Sequence, residues 1–137
     1  MEEFSLSSVI KLLRNDFSDL NIELNQDAFI KADKRAFLSV IRNLFQNSVL
    51  HGKADSVQIH AQVEGSNIQI SFLDNGTGFQ GDLKKLGEEI LQSQGSRGNG
   101  IGLLLSKRLI NKMKGHVHFR PTNQGFKTDI QIPGRLA

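Results

Sequence analysis

Apolar residues recur at helical spacing in some stretches of this chain and alternate with polar ones in others, and the switches between the two outline its elements. Val9, Ile10, Leu12, Leu13 and Phe17 follow Ser7 and Ser8, which predicts a helix over roughly 8 to 17 with a serine N-cap. Leu20-Asn-Ile-Glu-Leu24 alternates as a short strand, and Phe29-Ile-Lys-Ala32 as another. Asp33 then caps a longer helix over roughly 34 to 50, whose apolar face carries Phe37, Val40, Ile41, Leu44 and Ser48. Ser56 to Val63 and Ile68 to Leu73 read as a hairpin turning at Gly65-Ser-Asn67. Leu103 to Lys114 is helical again and stops at Gly115. His116 to Phe119 and Phe126 to Ile132 finish the chain as strands, with Phe126, Thr128, Ile130 and Ile132 facing inward and Pro133 as the end.

Helices mixed with hairpin-joined strands predict an α+β fold, a two-layer α/β sandwich in which a mixed, mostly antiparallel sheet packs on about three helices. A doubly wound parallel sheet fits worse, because the 56 to 73 hairpin breaks the regular alternation of strand and helix. Between Gly76 and Gly102 the chain holds eight of its thirteen glycines, with one helical patch at about 82 to 91. That stretch is the expected lid.

At 137 residues the chain is read as one domain, residues 1–137, able to form a core without disulfides or metal. It has no cysteine, which removes thiol catalysis and zinc-thiolate sites and agrees with a reducing compartment. No signal peptide precedes Phe4 and no apolar run reaches membrane-spanning length, so a cytoplasmic domain without direct membrane contact is expected. The net charge of +3 is small and scattered, and nine Phe with no Tyr or Trp leave no base-stacking platform. No nucleic-acid partner is expected.

Three segments can carry chemistry. Asn43, Asn47 and His51 are spaced by four along one stripe of the 34 to 50 helix, and an amide oxygen suits a magnesium ion that keeps waters and draws negative charge from phosphates. The same spacing also describes a solvated helix edge. Asp74-Asn-Gly76-Thr-Gly78-Phe79 places a carboxylate at a strand end before glycines that permit close ligand approach, and a buried carboxylate there can accept from an exocyclic amine. Asp-Asn-Gly is also an ordinary turn. The G-x-G-x-x-G pattern within Gly76 to Gly81 fails as a dinucleotide site, because its strand belongs to a hairpin and no acidic residue follows at the required distance. Gly98, Gly100 and Gly102 run into the Leu103 helix, whose free N–H groups and positive dipole end suit phosphate. No Gly-Lys-Ser/Thr follows, so this is not a Walker loop.

Asn47 in its Asn-Leu-x-x-Asn helix, the Asp74-x-Gly76-x-Gly78 loop and the Gly98-x-Gly100-Ile101-Gly102-Leu103 segment resemble the N, G1 and G2 boxes of the GHKL ATP-binding superfamily. The similarity runs over nearly the whole chain. It implies a Bergerat fold that binds ATP with Mg2+, in which Asn47 holds magnesium and Asp74 reads adenine. Gly76, Gly78, Phe79, Gly98, Gly100, Ile101, Gly102 and Leu103 line the nucleotide in the same resemblance, with His51 lining the pocket and Thr128 making a water-mediated adenine contact.

Asn43 chooses the branch. Gyrase, mismatch-repair and heat-shock ATPases carry a glutamate four residues before the magnesium Asn, and an amide cannot take the proton that glutamate takes. With Asn43 the chain is similar to the catalytic, ATP-binding domain of bacterial two-component sensor histidine kinases. That resemblance implies a histidine kinase domain in which Asn43 and Asn47 stand at the catalytic end and the γ-phosphoryl group goes to a histidine on a separate dimerisation and phosphoacceptor domain. A response regulator acts downstream. None of His51, His60, His116 or His118 has the acidic neighbour of such an acceptor, so the chain is expected to be a fragment lacking that domain.

Two departures stand out. Leu50 occupies a position where the family carries a basic residue, a charge that Arg97 would supply unless it is a solvated lid residue, and Leu86-Gly-Glu-Glu-Ile-Leu91 stands where kinases carry two Phe. They keep open a non-catalytic nucleotide-binding regulatory module, and a GHKL ATPase or serine kinase remains a further alternative.

Overall fold

The computed structural model describes residues 2–50, 53–76, 99–122 and 125–137. Its element order is β1 (Glu2–Ser5), α1 (Leu6–Asp16), β2 (Asn21–Leu24), β3 (Ala28–Ala32), α2 (Lys34–Leu50), β4 (Ser56–Glu64), β5 (Asn67–Asp74), α3 (Asn99–Lys112), β6 (His116–Thr122) and β7 (Gly125–Leu136). The expected lid patch at 82 to 91 lies outside the described residues.

The strands form one seven-stranded sheet in the order β1-β3-β7-β5-β4-β2, with β6 paired to β7. Every described pairing is antiparallel except β2 with β4, which runs Asn21↔Ser56 to Leu24↔Ile59. A parallel pair needs a crossover connection, and the chain between β2 and β4 supplies it with β3 and α2. The helices lie on one side, and the core between the layers is built from inward strand positions such as Ile59, Ile68, Ile70, Phe72, Ile130 and Ile132 against Phe37, Ile41, Phe45 and Ile110. Phe45 joins the layers: its ring meets Phe17 of the α1 end at 5.7 Å edge-on and Phe72 of β5 at 6.4 Å. This is the α+β two-layer sandwich expected from the pattern.

Local differences have physical causes. The N-cap of α1 is Ser5, ahead of the expected Ser7 and Ser8; its hydroxyl accepts the Ser8 N–H at 3.2 Å. Asp27, in the turn between β2 and β3, accepts the Ser7 N–H at 2.9 Å and the Ser7 hydroxyl at 2.7 Å, so a distant carboxylate caps the same helix end. Strand β1 escapes a sequence reading because it is four residues long and buries only Phe4. Asp33 caps α2 as expected, accepting the Ala36 N–H at 3.1 Å.

Pro133 does not end the last strand. It pairs with Asn67 at the limit of β5, and β7 continues through Gly134, Arg135 and Leu136 on β3. The proline, which has no N–H, falls where the strand changes partner. Helix α3 begins at Asn99, four residues earlier than the apolar period suggests, and ends at Lys112. Its stop uses Lys114 in the left-handed conformation, φ 65°, with the Lys114 N–H on the Asn111 carbonyl at 3.1 Å and the Gly115 N–H on the Ile110 carbonyl at 2.9 Å. Gly115 is required for a different reason: a Cβ there would stand 2.4 Å from the Gln131 carbonyl oxygen.

Candidate functional site

Asp74 closes β5, and strand alternation turns it to the same inward side as Ile68, Ile70 and Phe72. It is 7% exposed, so its carboxylate must be met by donors. Oδ1 accepts the backbone N–H of Gly76 at 2.9 Å and of Phe126 at 3.1 Å, and Oδ2 lies 2.6 Å from the Ser48 hydroxyl. Phe126 reaches it because its neighbour is glycine: a Cβ on Gly125 would stand 1.8 Å from the Asp74 carbonyl oxygen. Asn75 anchors the turn that follows. Its Oδ1 accepts the N–H groups of Asp55 and Ser56 at 3.0 and 3.1 Å, and its own N–H donates to the Ser56 carbonyl at 3.2 Å. The start of β4 thereby fixes the exit of β5.

Helix α2 supplies the other half. Asn43 and Asn47 lie one turn apart, and Ser48 falls on the adjacent apolar stripe. The Asn43 amide donates to the Ser106 hydroxyl of α3 at 3.4 Å. The Asn47 amide nitrogen is buried and has no hydrogen-bond partner among the described residues. Leaving such a donor unpaired costs about 1–3 kcal/mol, so an acceptor placed there would be favoured. No trio of His, Asp or Glu gathers to hold a metal among the described residues. Magnesium bound through phosphates and waters asks for only one or two protein oxygens, which is the ligand type of the Asn47 amide oxygen, whereas the unpaired nitrogen suits an acceptor such as a phosphate or water oxygen.

Gly100, Ile101, Gly102 and Leu103 belong to the first turns of α3 rather than to a loop before it. The positive end of the α3 dipole is therefore built from these residues, on a helix that packs against α2. Thr128 is buried on β7 opposite Phe72, one inward position from Asp74 along the sheet. Of the other expected residues, His51, Gly78, Phe79, Arg97 and Gly98 lie outside the described residues. Leu50 ends α2 and is 67% exposed. His60, His116 and His118 are exposed on strands.

Sequence reasoning missed three contributors: Ser48, Gly125 and the Phe126 N–H. Only Ser48 left a trace, as the lone hydroxyl on the apolar face of α2. A backbone N–H leaves none.

The family model described as histidine kinase-, DNA gyrase B-, and HSP90-like ATPase matches residues 32–135. Among individual relatives, the chain is 32% identical to the non-motile and phage-resistance protein of Caulobacter vibrioides over 92% of its own length and 17% of that protein's. It is 30% identical to sporulation kinase B of Bacillus subtilis over 98% of its length and 34% of the relative's. The chain thus spans between about a sixth and about a third of the length of these curated relatives. Among solved structures, the catalytic domain of histidine kinase ThkA aligns with a TM-score of 0.78 at 21% identity over 97% of this chain and 96% of that one. The mycobacterial sensor histidine kinase MprB aligns with a TM-score of 0.75 at 18% identity over 99% of each chain. The fold is that of histidine kinase ATP-binding domains.

Proposed function

This chain belongs to the family of histidine kinase-, DNA gyrase B- and HSP90-like ATPases, and from that premise we propose that it binds Mg-ATP and donates the γ-phosphoryl group to a histidine on a separate dimerisation and phosphoacceptor domain. The observation that carries the reading is Asp74, a buried carboxylate held by Gly76, Phe126 and Ser48, the last of which follows on α2 directly after Asn47, whose buried amide nitrogen has no partner among the described residues. Asp74 accepts the exocyclic amine of adenine. Asn47 is the residue that would hold magnesium, which when bound neutralises phosphate charge. The start of α3 faces the phosphates with its N–H groups.

In the transfer, an imidazole nitrogen of the acceptor bonds to the γ-phosphorus as the bond to the β,γ-bridging oxygen breaks, and ADP leaves. Asn43 takes no proton, and its amide is occupied with Ser106. This domain therefore contributes position and charge rather than a base. A response regulator would receive the phosphoryl group afterwards, and the setting is cytoplasmic. Among the described residues no helix is long and apolar enough to cross a membrane.

The experiment mixes the chain with Mg-ATP and a matching phosphoacceptor domain and looks for acid-labile, base-stable phosphate on histidine. Failure to bind ATP or ADP at millimolar concentration overturns the reading. The exposed Leu50, in place of a basic residue, favours a second reading: a regulatory module that binds nucleotide without transferring phosphate. Binding without transfer in the same assay selects it. Transfer to serine or free hydrolysis selects the ATPase or serine-kinase branch.

A further inference from the structure

Ser48 follows Asn47 on α2 but lies on the stripe that carries Phe37, Ile41 and Leu44 into the core. It is 9% exposed, and its hydroxyl meets two acceptors, Asp74 Oδ2 at 2.6 Å and the Leu44 carbonyl oxygen at 3.0 Å. A hydroxyl has one proton. The carboxylate is the nearer and the charged acceptor, so the proton goes to Asp74.

The Asp74 carboxylate offers about four acceptor positions. Gly76 and Phe126 fill two on Oδ1, and Ser48 fills one on Oδ2. Among the described residues no other donor reaches it, so one position remains, on Oδ2. We infer that Ser48 is a positioning residue for base recognition, which leaves Asp74 a single open acceptor matched to one N–H of a purine exocyclic amine. The inference rests on the nucleotide-binding reading above.

The consequence is selectivity more than affinity at large. With Ser48 in place the carboxylate can neither swing nor take a second donor, and a base must present one N–H along one direction. A purine without the amine leaves that acceptor unpaired, which a buried site penalises. Without the Ser48 hydroxyl, Oδ2 has two open positions. Water can fill one, the carboxylate loses its preorganisation, and the advantage of the amine shrinks.

The test measures binding of ATP and of purine riboside triphosphate, which has hydrogen in place of the 6-amino group, to the parent chain and to Ser48→Ala, Ser48→Cys and Ser48→Thr. The ratio of the two affinities is expected to fall about ten-fold in the Ala and Cys variants and to recover in the Thr variant, while affinity for the deamino analogue moves less than about two-fold. Equal loss for both nucleotides would overturn the inference by making Ser48 a packing residue only. An unchanged ratio would overturn it by showing that the two backbone N–H groups orient Asp74 unaided. A parent chain that binds both nucleotides equally removes base reading at Asp74, and this inference with it, but leaves nucleotide binding standing. A parent chain that binds neither overturns the proposed function itself.

Discussion

The Asn43 amide donates to the Ser106 hydroxyl at 3.4 Å, so a polar bridge joins α2 to α3 inside the helical layer. Ser106 is 1% exposed, and Asn43 is its hydrogen-bond partner there. Asn43→Ala should therefore lower stability by about 1 kcal/mol. Combining it with Ser106→Ala should cost less than the sum of the two single changes, because the second removes the orphaned group. Urea unfolding of the four proteins measures the coupling.

Asp74→Asn should fold. Its amide oxygen can still accept from Gly76 and Phe126, and its amide nitrogen can donate to Ser48, whose proton then turns to the Leu44 carbonyl at 3.0 Å. The group facing the base becomes a donor where an acceptor stood. ATP affinity should drop at least about ten-fold, with 6-oxo purine nucleotides losing less or gaining. Calorimetric titration with ATP and inosine triphosphate reads both.

Asn47→Ala should separate the metal from the base. ATP affinity in the absence of magnesium should stay within about two-fold of the parent, and the gain produced by adding magnesium should be lost, since the amide is one of very few protein ligands such an ion uses. Titrations with and without a chelator decide it.

Neighbouring substitutions at the end of α3 should have opposite signs. Lys114 holds φ 65°, a conformation that costs a side-chain-bearing residue about 1–2 kcal/mol, so Lys114→Gly should be stabilising. Gly115→Ala would press a methyl group on the Gln131 carbonyl and should cost about 1–3 kcal/mol. Thermal unfolding should move up for the first and down for the second.

Burial pushes the Asp27 carboxyl up, but hydrogen bonds from the Ser7 hydroxyl, the Ser7 N–H and the Ala28 N–H outweigh it and hold the group below its ordinary value. A carboxyl depressed in the folded state stabilises the protein above its unfolded pKa of about 3.9 and loses that contribution as pH falls through the folded value. The stability gap between the parent and Asp27→Asn should be widest near neutral pH and close in that acid window. Urea midpoints across the pH range measure it.

Helix α2 was legible because seventeen residues carry a clear apolar stripe behind an aspartate cap, and the β4–β5 hairpin because nine and eight residues alternate around a glycine turn. Strand β1 was not legible, having four residues and one buried side chain. At Pro133 the rule that proline ends a strand failed because β7 changes partner there, and partner exchange is not a local property. The glycine at the end of α3 was a correct stop signal with a different cause, since the left-handed turn belongs to Lys114 and the glycine admits Gln131.

By itself the sequence determined the α+β class, the long helix bearing Asn43 and Asn47, and the strand that ends in Asp74, because periodicity, caps and turns act within a few residues. Only the tertiary structure decided that Asp27 caps α1 from a distant turn, that β2 lies parallel to β4, and that Asp74 is held by Ser48 and Phe126, separated from it by 26 and 52 positions. Those contacts depend on strand register and layer packing, which bring together groups that no spacing along the chain relates.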